Sequence, residues 1–215
     1  MKTILFQGDS VTDGGWDREA QPGEGVFGYT YPTFVKSELS YKYPNEYRYI
    51  NRGVSGNRTV DLYARIKPDI IALAPDYLSI LIGINDVWHD FEDNGLDARH
   101  SEIMYDMLLS EIKESLPDTK IMLLEPFVLQ GSATKTDAEH PGRWLRFKRE
   151  TALRAEITKK LAEKYGCLFV PLQEKFDELA SKSPEGFVCR DGVHPTGVGA
   201  EIIKNEWIKA FERMK

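Results

Sequence analysis

The chain has 215 residues, 41% of them hydrophobic and 29% charged, the proportions of an ordinary globular protein rather than of a collagen-like, disordered or membrane-embedded one. That length suits one domain with its own core, read here as residues 1–215. A formal net charge of −6 offers no basic surface to a phosphate backbone, so no nucleic-acid partner is expected. The apolar run at the N-terminus is too short for a signal peptide and no segment is long enough to span a bilayer, which predicts a cytoplasmic protein with no membrane partner. Cys167 and Cys189 are read as free thiols, since a chain of this size builds a core without staples.

Short apolar runs alternate with longer amphipathic stretches, the pattern of βα units feeding a mostly parallel sheet. The first strand is expected at Thr3 to Phe6, followed by a Gly-rich loop to about Gly28. A helix from about Tyr31 to Tyr43 sets Phe34, Val35, Leu39 and Tyr43 at helical spacing and stops at Pro44. The second strand, Tyr47 to Asn51, leads through GVSGNRT into a helix passing Leu62 and Ile66, with Thr59 or Asn57 as its cap. Tyr77 to Ile82 is a nearly unbroken apolar run, as expected of a strand covered by helices on both faces, and it ends at Gly83.

A helix from about Ala98 to Ser115 carries Ile103, Met107, Leu108 and Ile112 on one side and ends at Pro117, before a strand at Lys120 to Leu124. Glu125 to Gly142 reads as a loop, and loops of that length tend to line functional sites, so it is expected near the substrate. A long helix from about Trp144 to Tyr165 ends at Gly166, a strand follows at Cys167 to Val170, and helical residues Leu172 to Ser181 and Gly197 to Glu212 close the chain. Five strands with helices between them predict an α/β/α three-layer fold, its five-stranded parallel sheet in the flavodoxin-like order 2-1-3-4-5.

Open sheets of this kind bind ligands outside the carboxyl ends of their strands. Three of those ends lead into Gly8-Asp9-Ser10, Gly53-Val54-Ser55-Gly56-Asn57 and Gly83-Ile84-Asn85-Asp86, and Asp191-Gly192-Val193-His194-Pro195 precedes the last helix. Singly, each is an ordinary turn or helix-entry sequence. Four such groups, in order at strand ends and at the mouth of the last helix, are not what independent turns would produce. Together GDSVTD, GVSGNRT, GINDVW and DGVHPT resemble the four blocks of the SGNH (GDSL-type) hydrolases, in order over nearly the whole chain. The resemblance implies Ser10 as nucleophile, His194 and Asp191 as its triad partners, and an oxyanion hole made of the Ser10 and Gly56 backbone N–H groups and the Asn85 side-chain amide.

The chemistry asks for these residue types. A serine hydroxyl is a poor nucleophile until a base takes its proton, and histidine, with an ordinary pKa of about 6.5, suits neutral pH. An aspartate three residues before it can fold back onto the imidazole and fix its tautomer. Donors already aimed at the negative oxygen of the tetrahedral intermediate cost no reorganisation. Glycine at position 56 is expected because a backbone approaches a reacting centre closely only without a Cβ. Asp13 and Asp86 are expected to hold the oxyanion loops through backbone N–H groups, and Asp9 is grouped with them. Trp88 either stacks on a sugar ring or acyl group or packs in the interior. His89, Asp90, Glu92 and Asp93 match no zinc or calcium spacing and read as a solvated loop, so no metal is assigned, and no cofactor is required. Arg143, Arg146, Lys148 and Arg149 read as the exposed face of a helix start.

Within the family, GDSVTDGG, SGNRTVDL, IGINDVW and RDGVHPT look like the intracellular acetyl esterases that deacetylate xylo-oligosaccharides. The resemblance thus implies a serine esterase that removes short acyl groups, acetyl above all, from carbohydrate esters through an acyl-serine intermediate, and it is compatible with a homo-oligomer. A short-chain thioesterase or lysophospholipase is the alternative within the class. A non-catalytic flavodoxin-like module is the alternative outside it, and no G-x-G-x-x-G or Walker sequence supports that one.

Overall fold

The computed structural model describes residues 1–21 and 24–215. Pro22 and Gly23, part of the predicted Gly-rich loop, lie outside the described residues. The elements in chain order are β1 (Lys2–Gly8), α1 (Ser10–Asp13), α2 (Tyr31–Lys42), β2 (Tyr47–Asn51), α3 (Thr59–Ala64), α4 (Ile66–Asp69), β3 (Tyr77–Leu81), α5 (Ile84–Trp88), α6 (Ala98–Ser115), β4 (Lys120–Leu124), α7 (Arg143–Tyr165), β5 (Leu168–Val170), α8 (Gln173–Ala180) and α9 (Gly197–Met214). All the strand pairs are parallel and the order is β2-β1-β3-β4-β5, as expected from the alternation of strands and helices. Among the described residues no helix is long and apolar enough to cross a membrane.

Successive side chains of a strand point to opposite faces, and here both faces are covered. Ile4, Phe6, Tyr77, Leu81, Met122 and Leu124 meet Val35 and Leu39 of α2 and Trp207 and Phe211 of α9. Leu5, Leu78, Ile80, Ile121 and Leu123 meet α3, α6 and α7 on the other side. Double coverage explains why these strands read as continuous apolar runs rather than as alternating ones. The first face is aromatic: the Trp207 ring lies 5.4 Å from Phe6 and 5.1 Å from Phe211, and Phe211 lies 4.9 Å from Tyr77.

Three local expectations are corrected. Ile103 and Met107 are 40% and 41% exposed; α6 buries Ser101, Tyr105, Leu108, Leu109 and Ile112 instead, because Tyr105 and Leu109 continue the stripe that Leu108 and Ile112 begin. The N-cap of α3 is Arg58, whose N–H donates to Asp61 at 2.8 Å. Neither expected cap serves there, since the Thr59 hydroxyl donates to Asp86 and the Asn57 side-chain oxygen Oδ1 accepts from Arg65. The Glu125 to Gly142 loop runs beneath the Asp191–His194 turn rather than along the cleft: the Leu129 N–H donates to the Gly192 carbonyl at 2.8 Å and the Ala133 N–H to the Asp191 carbonyl at 3.0 Å. That contact requires glycine at 192, where φ is +100° and a Cβ would stand 2.4 Å from Thr134 Oγ1.

Asn51, at the end of β2, joins the first two loops. The two N–H groups of its buried amide are shared among the carbonyls of Thr12, Asp13 and Phe27 at 2.9, 3.2 and 3.1 Å, and its oxygen accepts from the Gly53 N–H at 2.9 Å. Replacement by the similarly shaped leucine strands the Phe27 carbonyl and the Gly53 N–H, whereas the Thr12 and Asp13 carbonyls keep the Thr30 hydroxyl and the Trp16 N–H as donors. Asn51→Leu is expected to lower unfolding free energy by about 3 kcal/mol or more, read from urea denaturation; a loss under about 1 kcal/mol would show that water or neighbouring groups take over.

Candidate active site

The four sequence blocks converge at the carboxyl ends of the strands, in a cleft of about 570 Å³ lined by Ser10, Gly56, Asn85, Trp88 and His194, with Tyr29, His89 and Arg190 around them. Ser10 opens α1 immediately after β1, and the turn is set by Asp9, whose carboxylate accepts from the Val11 N–H at 2.9 Å. His194 stands just before α9. Although 184 positions separate the two residues, Ser10 Oγ and His194 Nε2 are 2.9 Å apart.

On the far side of the imidazole, His194 Nδ1 is 2.7 Å from Asp191 Oδ2. A carboxylate only accepts, so Nδ1 carries the proton, and in the neutral ring Nε2 is left to accept from the Ser10 hydroxyl. The second Asp191 oxygen accepts from the Val193 and His194 N–H groups at 3.0 and 2.8 Å. Burial alone would raise the Asp191 carboxyl, but the His194 ring and these two backbone donors outweigh it and hold the group well below the usual carboxylate range.

The Gly56 turn and the Asn85 side chain complete the cleft floor. Gly56 has φ +82°, and a Cβ there would meet nothing nearer than His89 Nε2 at 3.9 Å. Its left-handed backbone by itself calls for glycine. Asn85 Nδ2 donates to the Asn57 carbonyl at 3.1 Å; an amide nitrogen has two N–H groups, so one remains for a ligand.

The acidic residues behind these groups tie loops together. Asp13 Oδ2 accepts from the Ser55 N–H and hydroxyl at 2.8 and 2.7 Å and from Arg18 at 2.6 Å, while Oδ1 accepts from the Gly15 N–H at 3.1 Å. Burial opposes ionisation there, yet the Ser55 and Arg18 hydrogen bonds prevail and lower the Asp13 carboxyl. Asp86 accepts from the Thr59 N–H and hydroxyl at 2.9 and 2.6 Å and from the Ser101 hydroxyl at 2.9 Å. Its near-complete burial raises the carboxyl in spite of those donors. Trp88 packs inward and also lines the cleft: its ring lies 6.0 Å from Phe147, edge to face, and 6.0 Å from His194.

Several cleft residues carry no motif in the sequence. Tyr29 is 82% exposed at the rim, an aromatic face with one side in water. The His89 to Asp93 segment is not simply solvated: His89 Nε2 lies 3.0 Å from the Gly56 carbonyl, and Asp90 pairs with Arg146. Arg143 and Arg146 lie over the Phe91 ring at 5.3 and 4.5 Å, so this part of the basic run fastens the segment to α7 instead of facing only solvent. The one sequence signal for His89 was its position four residues after Asn85.

The site also contains a buried acid with unusual titration. Burial pushes the Asp9 carboxyl up to about 7, against the lowering influence of the Val11 N–H and of His194. A carboxyl raised in the folded state contributes stability that is full below its unfolded pKa of about 4 and is lost as pH climbs through the folded value. Asp9→Asn keeps the acceptor for Val11 but does not ionise. Its stability relative to the parent is therefore expected to rise between about pH 4 and pH 7, by roughly 1–4 kcal/mol, and to level off above. Parallel denaturation series across that range test this, and a pH-independent difference would refute it.

Comparison with known proteins places the chain. A family model described as GDSL-like lipase/acylhydrolase matches residues 6–202. An acetylxylan esterase of Geobacillus stearothermophilus is 34% identical over 213 residues, covering 96% of this chain and 92% of that protein. The crystal structure of that organism's acetylxylan esterase Axe2 superposes with a TM-score of 0.84 at 31% identity, covering 97% of this chain and 93% of the other. A Parabacteroides merdae structure assigned as a GDSL-like lipase superposes with a TM-score of 0.88 at 36% identity, covering 97% and 94%. Axe2 variants altered at a serine, an aspartate and a histidine three positions beyond that aspartate are described as catalytic mutants. With the fold, the block order and these matches in agreement, the chain belongs to the GDSL-like lipase/acylhydrolase family of carboxylic ester hydrolases.

Proposed function

We propose that residues 1–215 form one catalytic domain that removes acetyl groups from soluble xylo-oligosaccharides and related carbohydrate esters, with Ser10 as nucleophile, His194 as base and Asp191 as its orienting partner. The observation that carries this reading is the unbroken hydrogen-bonded line from Asp191 through His194 to Ser10 Oγ, 2.7 and 2.9 Å long, opening into the cleft.

As Ser10 Oγ attacks the ester carbonyl, His194 Nε2 takes the hydroxyl proton and Asp191 stabilises the imidazolium. The carbonyl oxygen becomes an oxyanion, received by the Ser10 and Gly56 N–H groups and the remaining Asn85 N–H. Collapse returns the proton to the sugar oxygen and leaves acetyl-Ser10. A water, deprotonated by His194, then attacks the acetyl group, and acetate departs as the serine is regenerated. Losing one donor of such a hole typically costs about 2.7–4 kcal/mol of transition-state stabilisation, which gives weight to the ties that hold Gly56 and Asn85 in place.

The acetyl-carbohydrate assignment is supported by the likeness to acetylxylan esterase across nearly the whole chain and by the aromatic rim. Tyr29 and Trp88 line the cleft together with Ser10, and the apolar face of a sugar ring stacks on aromatic rings.

Acetate release from acetylated xylo-oligosaccharides, with p-nitrophenyl acetate and octanoate in parallel, tests the reading. Ser10→Ala is expected to lose at least about 1,000-fold in kcat, to escape labelling by an organophosphonate, and to match or exceed the parent in Tm. A folded Ser10→Ala enzyme with substantial activity overturns the mechanism, and a preference for the octanoyl ester overturns the acetyl assignment. Tyr29→Ala is expected to raise KM for the oligosaccharide by about 3- to 10-fold with kcat little altered; an unchanged KM would remove Tyr29 from the sugar site.

A further inference from the structure

Two consecutive carbonyls of the Gly56 turn are gripped by side chains of one short segment. Asn85 Nδ2 donates to the Asn57 carbonyl at 3.1 Å, and His89 Nε2 lies 3.0 Å from the Gly56 carbonyl. Residues four apart on a helix stand on the same face about one turn from each other, and α5 ends where His89 begins, with the His89 N–H donating back to the Asn85 carbonyl. A carbonyl only accepts, so His89 Nε2 is the donor, whichever charge the ring carries. The neighbouring Glu92 carboxylate lies 3.7 Å from Nδ1, beyond hydrogen-bond length, so the Gly56 carbonyl is the closer constraint on the ring.

From these contacts we infer that His89 is a positioning residue for ester hydrolysis: with Asn85 it clamps the Gly56–Asn57 backbone and thereby fixes where the Gly56 N–H points. This rests on the proposed role of Gly56 as an oxyanion donor. The peptide that carries that N–H joins Ser55 to Gly56. On its Ser55 side the backbone is tied by Asp13, through the Ser55 N–H and hydroxyl. On its Gly56 side the next peptide is held at its carbonyl by His89 and at its N–H by the Val54 carbonyl at 3.1 Å; His89 is the side-chain tie, and glycine at φ +82° has no side chain to restrict the rotation itself. The clamp also sets the spacing between two donors that belong to different strand ends, since the residue gripping the Asn57 carbonyl, Asn85, is itself the third donor.

Kinetics on p-nitrophenyl acetate, with rates of organophosphonate labelling, test the clamp in His89→Leu, His89→Ala and His89→Gln. Loss of the ring donor is expected to lower kcat by about 10-fold and slow labelling in parallel, with KM within about twofold of the parent. Glutamine, whose amide can donate to the same carbonyl, is expected to recover most of the loss; a merely structural role would give no such rescue. Parental kcat in the leucine and alanine variants overturns the inference, as does a higher KM at unchanged kcat, which would make His89 a substrate contact. Failure of glutamine to rescue also overturns it. Ser10→Ala, assayed alongside, separates the two levels: an inert Ser10→Ala with fully active His89 variants sinks only the clamp, whereas an active Ser10→Ala sinks the hydrolase reading beneath it.

Discussion

Buried carboxylates join loops that the sheet alone would leave independent. Each strand end delivers a loop to the same edge, but strands pair only along their length and exert no hold on what lies beyond. Asp13 crosses from the β1 loop to Ser55 in the β2 loop, and Asp86 crosses from the β3 loop to Thr59 and on to Ser101 of α6. Asp191 does the same within its own turn, through the Val193 and His194 N–H groups. In each case a charged acceptor meets fixed donors, and such hydrogen bonds are stronger than neutral ones. Precise placement of Ser10, Gly56, Asn85 and His194 depends on this set of ties.

The arrangement has an electrostatic cost that differs from site to site. Donors suffice to keep Asp13 and Asp191 below their ordinary range, whereas Asp86 and Asp9 are raised because burial outweighs the partners they have. Asp9 is held by the Val11 N–H as it turns the chain into Ser10. Its neutral form suits the apolar surroundings, and its ionised form would add negative charge near His194. Local strain of this kind belongs to sites where geometry serves chemistry rather than stability.

The legible part of the sequence was whatever left a periodic or compositional trace. β2 and β4 fall where their apolar runs do, and the strand order follows from the alternation of elements. The four blocks pointed to the cleft because chemistry restricts side-chain type there. Partners that are backbone atoms leave no such trace. Asn51 serves three carbonyls, and His89 faces a fourth that lies 33 positions away; nothing in the identity of the accepting residues reveals either bond. The long loop after β4 was misplaced for a similar reason, since it braces the Asp191 turn by main-chain contacts. On α6, Ile103 and Met107 fit the helical period as well as the buried residues do, and only the placement of Tyr105 and Leu109 decides which flank faces inward.

The distance of 184 positions between Ser10 and His194 has a consequence for biosynthesis. A ribosome-bound chain that has already laid down β1 through β5 displays the serine with no imidazole beside it. His194 arrives just ahead of α9, whose Trp207 and Phe211 settle against Phe6 and Tyr77. Under the proposed mechanism, hydrolytic competence waits for that helix to dock. A chain ending before that helix leaves the Phe6 and Tyr77 face of the sheet without its aromatic cover.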